Sequence, residues 1–302
     1  MPGPIRDQAG LGRVSATAAV CCWSTGNVIV AGFDMPGLQT GFWRLVLGSV
    51  VYWAVLHASG RRITWVVLRR VFPVAVTFSL ELGAFFVALH HTTVANATTI
   101  GALQPIVLMA VASRRYRERV GRWLVGVALL AIGGVALVMY GAGGEARPEG
   151  HLTGDLLAVV AMVLFSAYFI LVKDVRQQID TFTLQAASMT IGAVVLLPIA
   201  AVEAGQIVPA FPSWSQWGVL ALLLAIPGTG HFFMNWAHLH VSLTLAGLLT
   251  LAIPVLSTVG AWLGLDQRVA VPQVVGMAVG LGGLVLVGRQ DARLHRPGGD
   301  QL

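Results

Sequence analysis

Along the chain, long apolar runs alternate with short polar connections. Ten runs approach the ~20 residues that a helix needs to cross ~30 Å of hydrocarbon. They fall at 14 to 33, 38 to 57, 70 to 89, 94 to 112, 123 to 141, 154 to 172, 182 to 202, 216 to 237, 243 to 263 and 270 to 288. Each predicts a membrane-spanning helix, and the connections leave no room for a sizeable soluble domain. The first run is long and contains Trp23 and Asn27, which argues against a cleaved signal peptide.

Composition agrees with the pattern. Of the 302 residues 56% are hydrophobic and 11% charged, and the mean hydropathy is +0.78, too apolar for a wet globular surface. The net charge of +6 changes the picture only through where the cations sit. With the N-terminus cytoplasmic, every Lys and Arg except Arg44, Arg147 and Arg268 falls in a cytoplasmic segment. This positive-inside bias predicts an even number of spans with both termini in the cytoplasm, and localisation to the cytoplasmic (inner) membrane. The basic loops face anionic membrane lipid, so no nucleic-acid partner is expected. Cys21 and Cys22 are adjacent in the first run and read as small buried hydrophobes, and neither a metal nor another cofactor is expected.

The pattern also repeats. A shift of 149 places Ala88 on Ala237, His91 on His240, Pro105 on Pro254, Arg119 on Arg268, Val120 on Val269 and Gly133-Gly134 on Gly282-Gly283. A shift of 142 places Gly12 on Gly154, Ser24 on Ser166 and Trp23 opposite Phe165. Five spans per unit is an odd number, so the second copy enters the membrane from the opposite side. The expected fold is therefore an all-α integral membrane protein of ten transmembrane helices in two inverted five-helix repeats. These cover residues 12–141 and 154–288, with an outward-facing linker at 142–153 and a cytoplasmic tail at 289–302. Inverted repeats are the usual skeleton of secondary transporters, whose solute site lies near the midplane between the halves.

The order of motifs carries a family resemblance. Trp23-Ser24, Phe42-Trp43-Arg44, Leu103-Gln104-Pro105, Gly154-Asp155-Leu156-Leu157, Ser166-Ala167-Tyr168, Ile253-Pro254 and Gly282-Gly283 follow one another from about residue 12 to 288. In this the chain resembles a bacterial member of the drug/metabolite transporter superfamily with two EamA-type halves. The resemblance implies a ten-helix basket that carries small metabolites, often outward, amino acids and amphipathic compounds among them. It names no particular cargo and supplies no residue-by-residue signature.

Chemistry-bearing residues inside the spans are few. Glu81 is a lone carboxylate in a run where an ionised acid costs at least ~2.5 kcal/mol. Arg44 lies at similar depth on the second span, given ~1.5 Å rise per residue. One reading pairs them as a structural lock; the other turns one or both toward a central cavity, to meet a charged solute or exchange a proton. Under the 149 shift Glu81 falls on Gly230, beside His231, and imidazoles titrate near neutrality, so the two form a candidate proton relay. Pro227, Gly228 and Gly230 predict a broken helix in the eighth span, with His231, Asn235 and His238 on one face. Pro105 and Pro254 are further candidates for helix breaks and gating. Trp23, Asn27, Asn96, Gln104 and Tyr168 complete the solute or proton pathway candidates, although helix-to-helix hydrogen bonding is the commoner role for such polar groups. Trp43, Trp65, Trp123, Trp214, Trp217 and Trp262 read as interface anchors. Glycines 126, 133 and 134 in the fifth span and 276, 280, 282 and 283 in the tenth read as close-packing faces.

Other classes fit less well. His90-His91 and His238/His240 belong to opposite membrane faces and cannot share one metal ion, and no catalytic motif has the right context. Neither a ring of like charges nor a carbonyl filter suggests a channel. The expectation is a carrier of small molecules, coupled to protons and not directly to ATP, with an uncoupled facilitator as the alternative; oligomeric state is not legible.

Overall fold

The computed structural model describes residues 5–142, 151–265 and 269–294; Arg147, Arg268, most of the expected linker and the end of the expected tail lie outside them. Every regular element among these residues is a helix. Inside a bilayer only internally hydrogen-bonded backbone is tolerated, and the runs of Leu, Val and Ala satisfy this helically. In chain order the helices are α1 (Ile5–Ala31), α2 (Gly37–Ala58), α3 (Trp65–His91), α4 (Val94–Gly101), α5 (Gln104–Arg115), α6 (Arg122–Ala142), α7 (His151–Val175) and α8 (Thr181–Ala204). There follow α9 (Trp214–Leu223), a π-helical stretch (Leu224–Gly228), α10 (Thr229–Ala237), α11 (Leu243–Leu249), α12 (Ala252–Gly264) and α13 (Val271–Leu294). Among the described residues eight segments are long and apolar enough to cross a membrane, where the sequence pattern anticipates ten. The fifth and tenth expected spans correspond to α6 and α13.

Polar caps begin many of these helices. Thr64, Thr93, Asp180, Ser213 and Ser242 each accept backbone N–H groups that would otherwise be orphaned, and Ser213 forms a capping box with Gln216. Gly205 ends α8 in the left-handed conformation (φ 64°), a geometry that favours glycine.

Two expected spans are interrupted near their centres. The fourth divides into α4 and α5 just ahead of Pro105, and the ninth into α11 and α12 just ahead of Pro254. Each proline lacks an N–H and crowds the carbonyl four residues back, that of Gly101 and that of Thr250. The eighth span, by contrast, does not break. Residues Leu224–Gly228 wind as a π-helix and the segment Trp214–Ala237 runs on without a gap, so Pro227 is absorbed by a wider turn. Gly228 and Gly230 are buried within that continuous segment. Gly230 leaves room for α1: a Cβ there would stand 2.9 Å from Cys22 Cβ and 3.1 Å from the Ala19 oxygen.

The two sets of helices, α1–α6 and α7–α13, are interleaved. Helix α1 packs on α10 and α12, while α7 packs on α3, α4 and α5. These crossings use residues that the shifts align. A Cβ on Gly12 would lie 2.6 Å from His240 Cβ, and one on Gly154 would lie 2.9 Å from the His91 carbonyl carbon. Ser24 and Ser166 each donate to the carbonyl four residues back at 2.8 Å, from Val20 and Met162. Trp23 and Phe165 meet edge to face at 5.3 Å. Helices α6 and α13 pack on each other, Gly134 admitting Gly276 and Gly280.

Some expectations for single side chains are corrected. Trp43 is buried and donates its indole N–H to the Ala210 oxygen (3.1 Å), because it closes an aromatic cluster with Phe211 and Trp217 instead of facing the interface. Cys21 is exposed and Cys22 half-buried, so only the latter packs inward. Gly126, Gly133 and Gly282 face open space.

Candidate functional site

A cavity opens where the interruptions and the crossed helices meet. It is lined from α1, α2, α3, α4, α5, α7, α10, the π-helical stretch and the α11–α12 junction. Its walls are apolar and aromatic, with Trp23, Phe85, Phe86 and Phe165 prominent. The two helix interruptions face it: Gly101 and Gln104 on one side, Thr250 and Ile253 on the other. Those pairs are also related by the 149 shift. Gln104 Oε1 accepts from Thr250 Oγ1 at 3.3 Å and so ties the junctions together, while Gln104 Nε2 is buried without a partner.

Arg44 and Glu81 both line this cavity, at 1% and 8% exposure. They do not form an ion pair: no Arg44–Glu81 contact falls within 4 Å. Arg44 Nε and Nη2 and Glu81 Oε2 are buried with no hydrogen-bond partner, and the guanidinium stands 5.7 Å from the Phe86 ring centroid. The ring face is a favourable neighbour for a cation but leaves the guanidinium N–H donors unused. The cavity therefore presents one cationic and one anionic group, each with unused hydrogen-bonding capacity.

His231 sits deeper, against Trp23 (5.0 Å) and Phe78 (4.9 Å), with its Nδ1 unpartnered. Asn235, one turn further along α10, does not reach the cavity. It accepts from the Tyr168 hydroxyl (2.8 Å) and donates to Gln185 Oε1 (2.9 Å). Asn27 lines the cavity and also donates to Ser257 Oγ (3.2 Å), which in turn donates to the Ser24 carbonyl (3.4 Å). Asn96 lies outside the cavity lining and donates to Thr92 Oγ1 (3.3 Å). Of the sequence candidates, then, Glu81, Arg44, Trp23, Asn27, Gln104, Pro227 and His231 gather in one place. Tyr168, Asn235, Asn96, Pro105, Pro254, Gly228 and Gly230 do not line it.

The lining spreads from the middle of the spans toward the end that carries few arginines. At the arginine-rich end polar contacts join the two sets of helices. Arg61 pairs with Asp180 (2.5 Å), Arg115 with Asp174 (2.7 Å), and the Tyr116 hydroxyl donates to Asp174 (2.8 Å). Burial and the neighbouring Asp174 carboxylate push the Tyr116 phenol up to about 12, so it stays a donor. Glu118 accepts the N–H groups of Leu243 (2.8 Å) and Thr244 (3.0 Å) at the start of α11, where a helix favours an anion. Helix α3 lies along α8 at mid-span and beyond, with Gly192 against Ser79 and Gly83 against Leu196, whereas the contact of α9 with α2 is slight. The other end is also bridged: Glu203 accepts the N–H groups of Leu38 (3.4 Å) and Gln39 (3.1 Å), and Thr92 donates to Asp155 (2.8 Å).

Sequence reasoning missed Thr98, Gly101, Phe86, Met162, Thr250 and Ile253 as lining residues. A signal existed for some of them, since Gly101 aligns with Thr250 and Gln104 with Ile253. Arg176 was counted only as a loop cation, yet it is buried and donates to the carbonyls of Asn235 (2.9 Å) and Ile179. Burial lowers its pKa.

Comparison with known proteins bears on this architecture. The chain is 20% identical over 244 residues to the pseudopaline exporter CntI of Pseudomonas aeruginosa, covering 78% of this chain and 81% of that protein. It is 21% identical over 281 residues to the uncharacterized transporter YetK of Bacillus subtilis, covering 90% and 84%. A solved crystal structure matches in fold with a TM-score of 0.71 and 21% identity, over 94% of this chain and 99% of the other. The model of the EamA-like transporter family matches twice, at residues 10–140 and 152–289. With both matches together spanning most of its length, the chain belongs to the EamA-like transporter family and is a membrane transporter, not an enzyme.

Proposed function

We propose that the chain is a secondary transporter that moves small amphipathic, amino-acid-like metabolites through this cavity by alternating access, in the outward direction. The observation that carries this reading is the pair of unpaired, oppositely charged groups in one aromatic-walled cavity. A solute with a carboxylate and an ammonium group on an apolar body would satisfy Arg44 and Glu81 and cover the rings. The framework proposed is ten spans, with α6 and α13 as the fifth and tenth, in two inverted repeats at residues 12–141 and 154–288 joined by an outward-facing linker at 142–153. The arginine-rich end, with both termini and the tail 289–302, lies in the cytoplasm. In that orientation the cavity would lie toward the outer side.

Proton coupling is the preferred mode. An uncoupled facilitator is favoured if Arg44 permanently neutralises Glu81, but the two make no ion pair, so the carboxylate is free to exchange a proton or a solute ammonium. The test is uptake of a panel of radiolabelled amino acids into proteoliposomes by wild type and Arg44→Gln. The expected outcome is that wild type moves at least one apolar amino acid and that Arg44→Gln loses it selectively. A folded, reconstituted chain that moves none of the panel contradicts the reading.

A further inference from the structure

Tyr168 touches the cavity only through its neighbours. Its ring lies parallel to Phe165 (6.0 Å, 5°), stacks on Phe78 (5.3 Å, 29°) and meets His231 edge-on (6.1 Å, 79°). Phe165 and His231 are the cavity floor. On its other side the hydroxyl enters a buried polar chain. It donates to Asn235 Oδ1, Asn235 Nδ2 donates to Gln185 Oε1, and Arg176 Nε donates to the Asn235 carbonyl. Tyr168, Asn235 and Gln185 are at most 1% exposed, and they come from α7, α10 and α8. Beside this chain, toward mid-span, α3 packs on α8, where a Cβ on Gly192 would stand 3.1 Å from Ser79 Cβ and 3.8 Å from the Ala75 oxygen.

We propose that Tyr168 is a positioning residue for transport, a latch through which the cavity floor controls the α3–α8 contact. The inference rests on the cavity being the solute site. Close-packed rings transmit a displacement instead of absorbing it, so a solute that shifts Phe165 or His231 shifts Tyr168. Moving the hydroxyl beyond hydrogen-bond range leaves Asn235 and Gln185 buried with fewer partners, and such networks fail as a unit. The shifts that align the two sets of helices place Gly26 opposite Tyr168 and Phe86 opposite Asn235. Neither side chain can hydrogen-bond, so the far end has no equivalent latch.

The test uses full-length protein in lipid nanodiscs, in which both faces are accessible, with Cys21→Ser and Cys22→Ser as background. Ala75→Cys reports on the α3–α8 contact, and Ala88→Cys, equally buried at the other end of α3, reports on general loosening. Removing only the hydroxyl, Tyr168→Phe should speed N-ethylmaleimide labelling of Ala75→Cys by about two- to tenfold, as loss of one buried hydrogen bond allows. Labelling of Ala88→Cys should not change. Phe165→Trp, which crowds the floor, should raise Ala75→Cys labelling by itself and add nothing once Tyr168→Phe is present. Unchanged labelling in Tyr168→Phe, an equal rise at Ala88→Cys, or additive effects of the two substitutions would each overturn the proposal. Labelling needs no solute, so failure of the latch leaves the transport reading standing, and the reverse holds.

Discussion

At the scale of single residues, the cavity is defined by what its charges lack. An arginine buried in hydrocarbon costs about 2.5–3.5 kcal/mol even on insertion scales, so one with Nε and Nη2 unpartnered is not explained by folding alone. Charged hydrogen bonds contribute about 1.5–3 kcal/mol, so Arg44→Gln should weaken binding of a carboxylate-bearing amino acid by roughly ten- to a hundredfold. Its amino-alcohol analogue should lose much less, and competition binding in detergent would compare the two. Equal losses for both would remove Arg44 from solute recognition. Glu81 and Arg44 stood out in the sequence because charge inside an apolar run is conspicuous. Whether they paired was not legible, because depth along a helix is set by sequence but azimuth depends on neighbouring helices. Thr250 and Gly101 were harder to see for a different reason: a threonine and a glycine are ordinary in a membrane helix, and only a break in the backbone gives them a role.

Elements are positioned by small residues and by caps. Within lipid the drive for helix association is packing, so close approach decides stability. Gly12→Val and Gly154→Val would force a methyl against His240 Cβ and against the His91–Thr92 backbone. Overpacking of this kind costs about 1–3 kcal/mol, and both variants should lower the thermal unfolding midpoint, whereas Gly133→Ala, facing open space, should not. Asp180 is the cap of α8 and the partner of Arg61. Burial raises its pKa, but hydrogen bonds from Thr183 and Phe182 and the Arg61 charge outweigh that and hold it below the ordinary carboxylate range. Its stabilisation is thus present above the unfolded-state pKa and is lost as pH falls through the lower folded value. Asp180→Ala should cost about 0.5–2 kcal/mol at neutral pH. Unfolding curves of wild type and variant should converge in acid; a constant gap would assign the effect to something other than the carboxylate. Hydropathy picked out the eight segments that are long and apolar enough to span, but it did not foresee which prolines interrupt a helix. Pro105 and Pro254 stand at interruptions and Pro227 does not, since a π-helical turn between α9 and α10 absorbs the missing hydrogen bond.

At the scale of the whole molecule, broken symmetry matters most. The repeat was visible in the sequence as matched histidines, glycines and prolines, and these fall at corresponding contacts, Gly12 on His240 and Gly154 on His91. What the sequence alone did not show is that the contacts are unequal: α3 lies along α8, whereas its counterpart α9 touches α2 only slightly. A carrier with this form needs a second arrangement in which the inequality is reversed, and a group whose charge differs between the two can couple that reversal to a gradient. The most direct test is accumulation of a transported amino acid in proteoliposomes with and without an imposed pH gradient, comparing wild type with Glu81→Gln. Wild type should show gradient-driven accumulation, and Glu81→Gln should lose that accumulation while downhill exchange persists. Gradient-driven accumulation by Glu81→Gln equal to that of wild type would contradict coupling through Glu81.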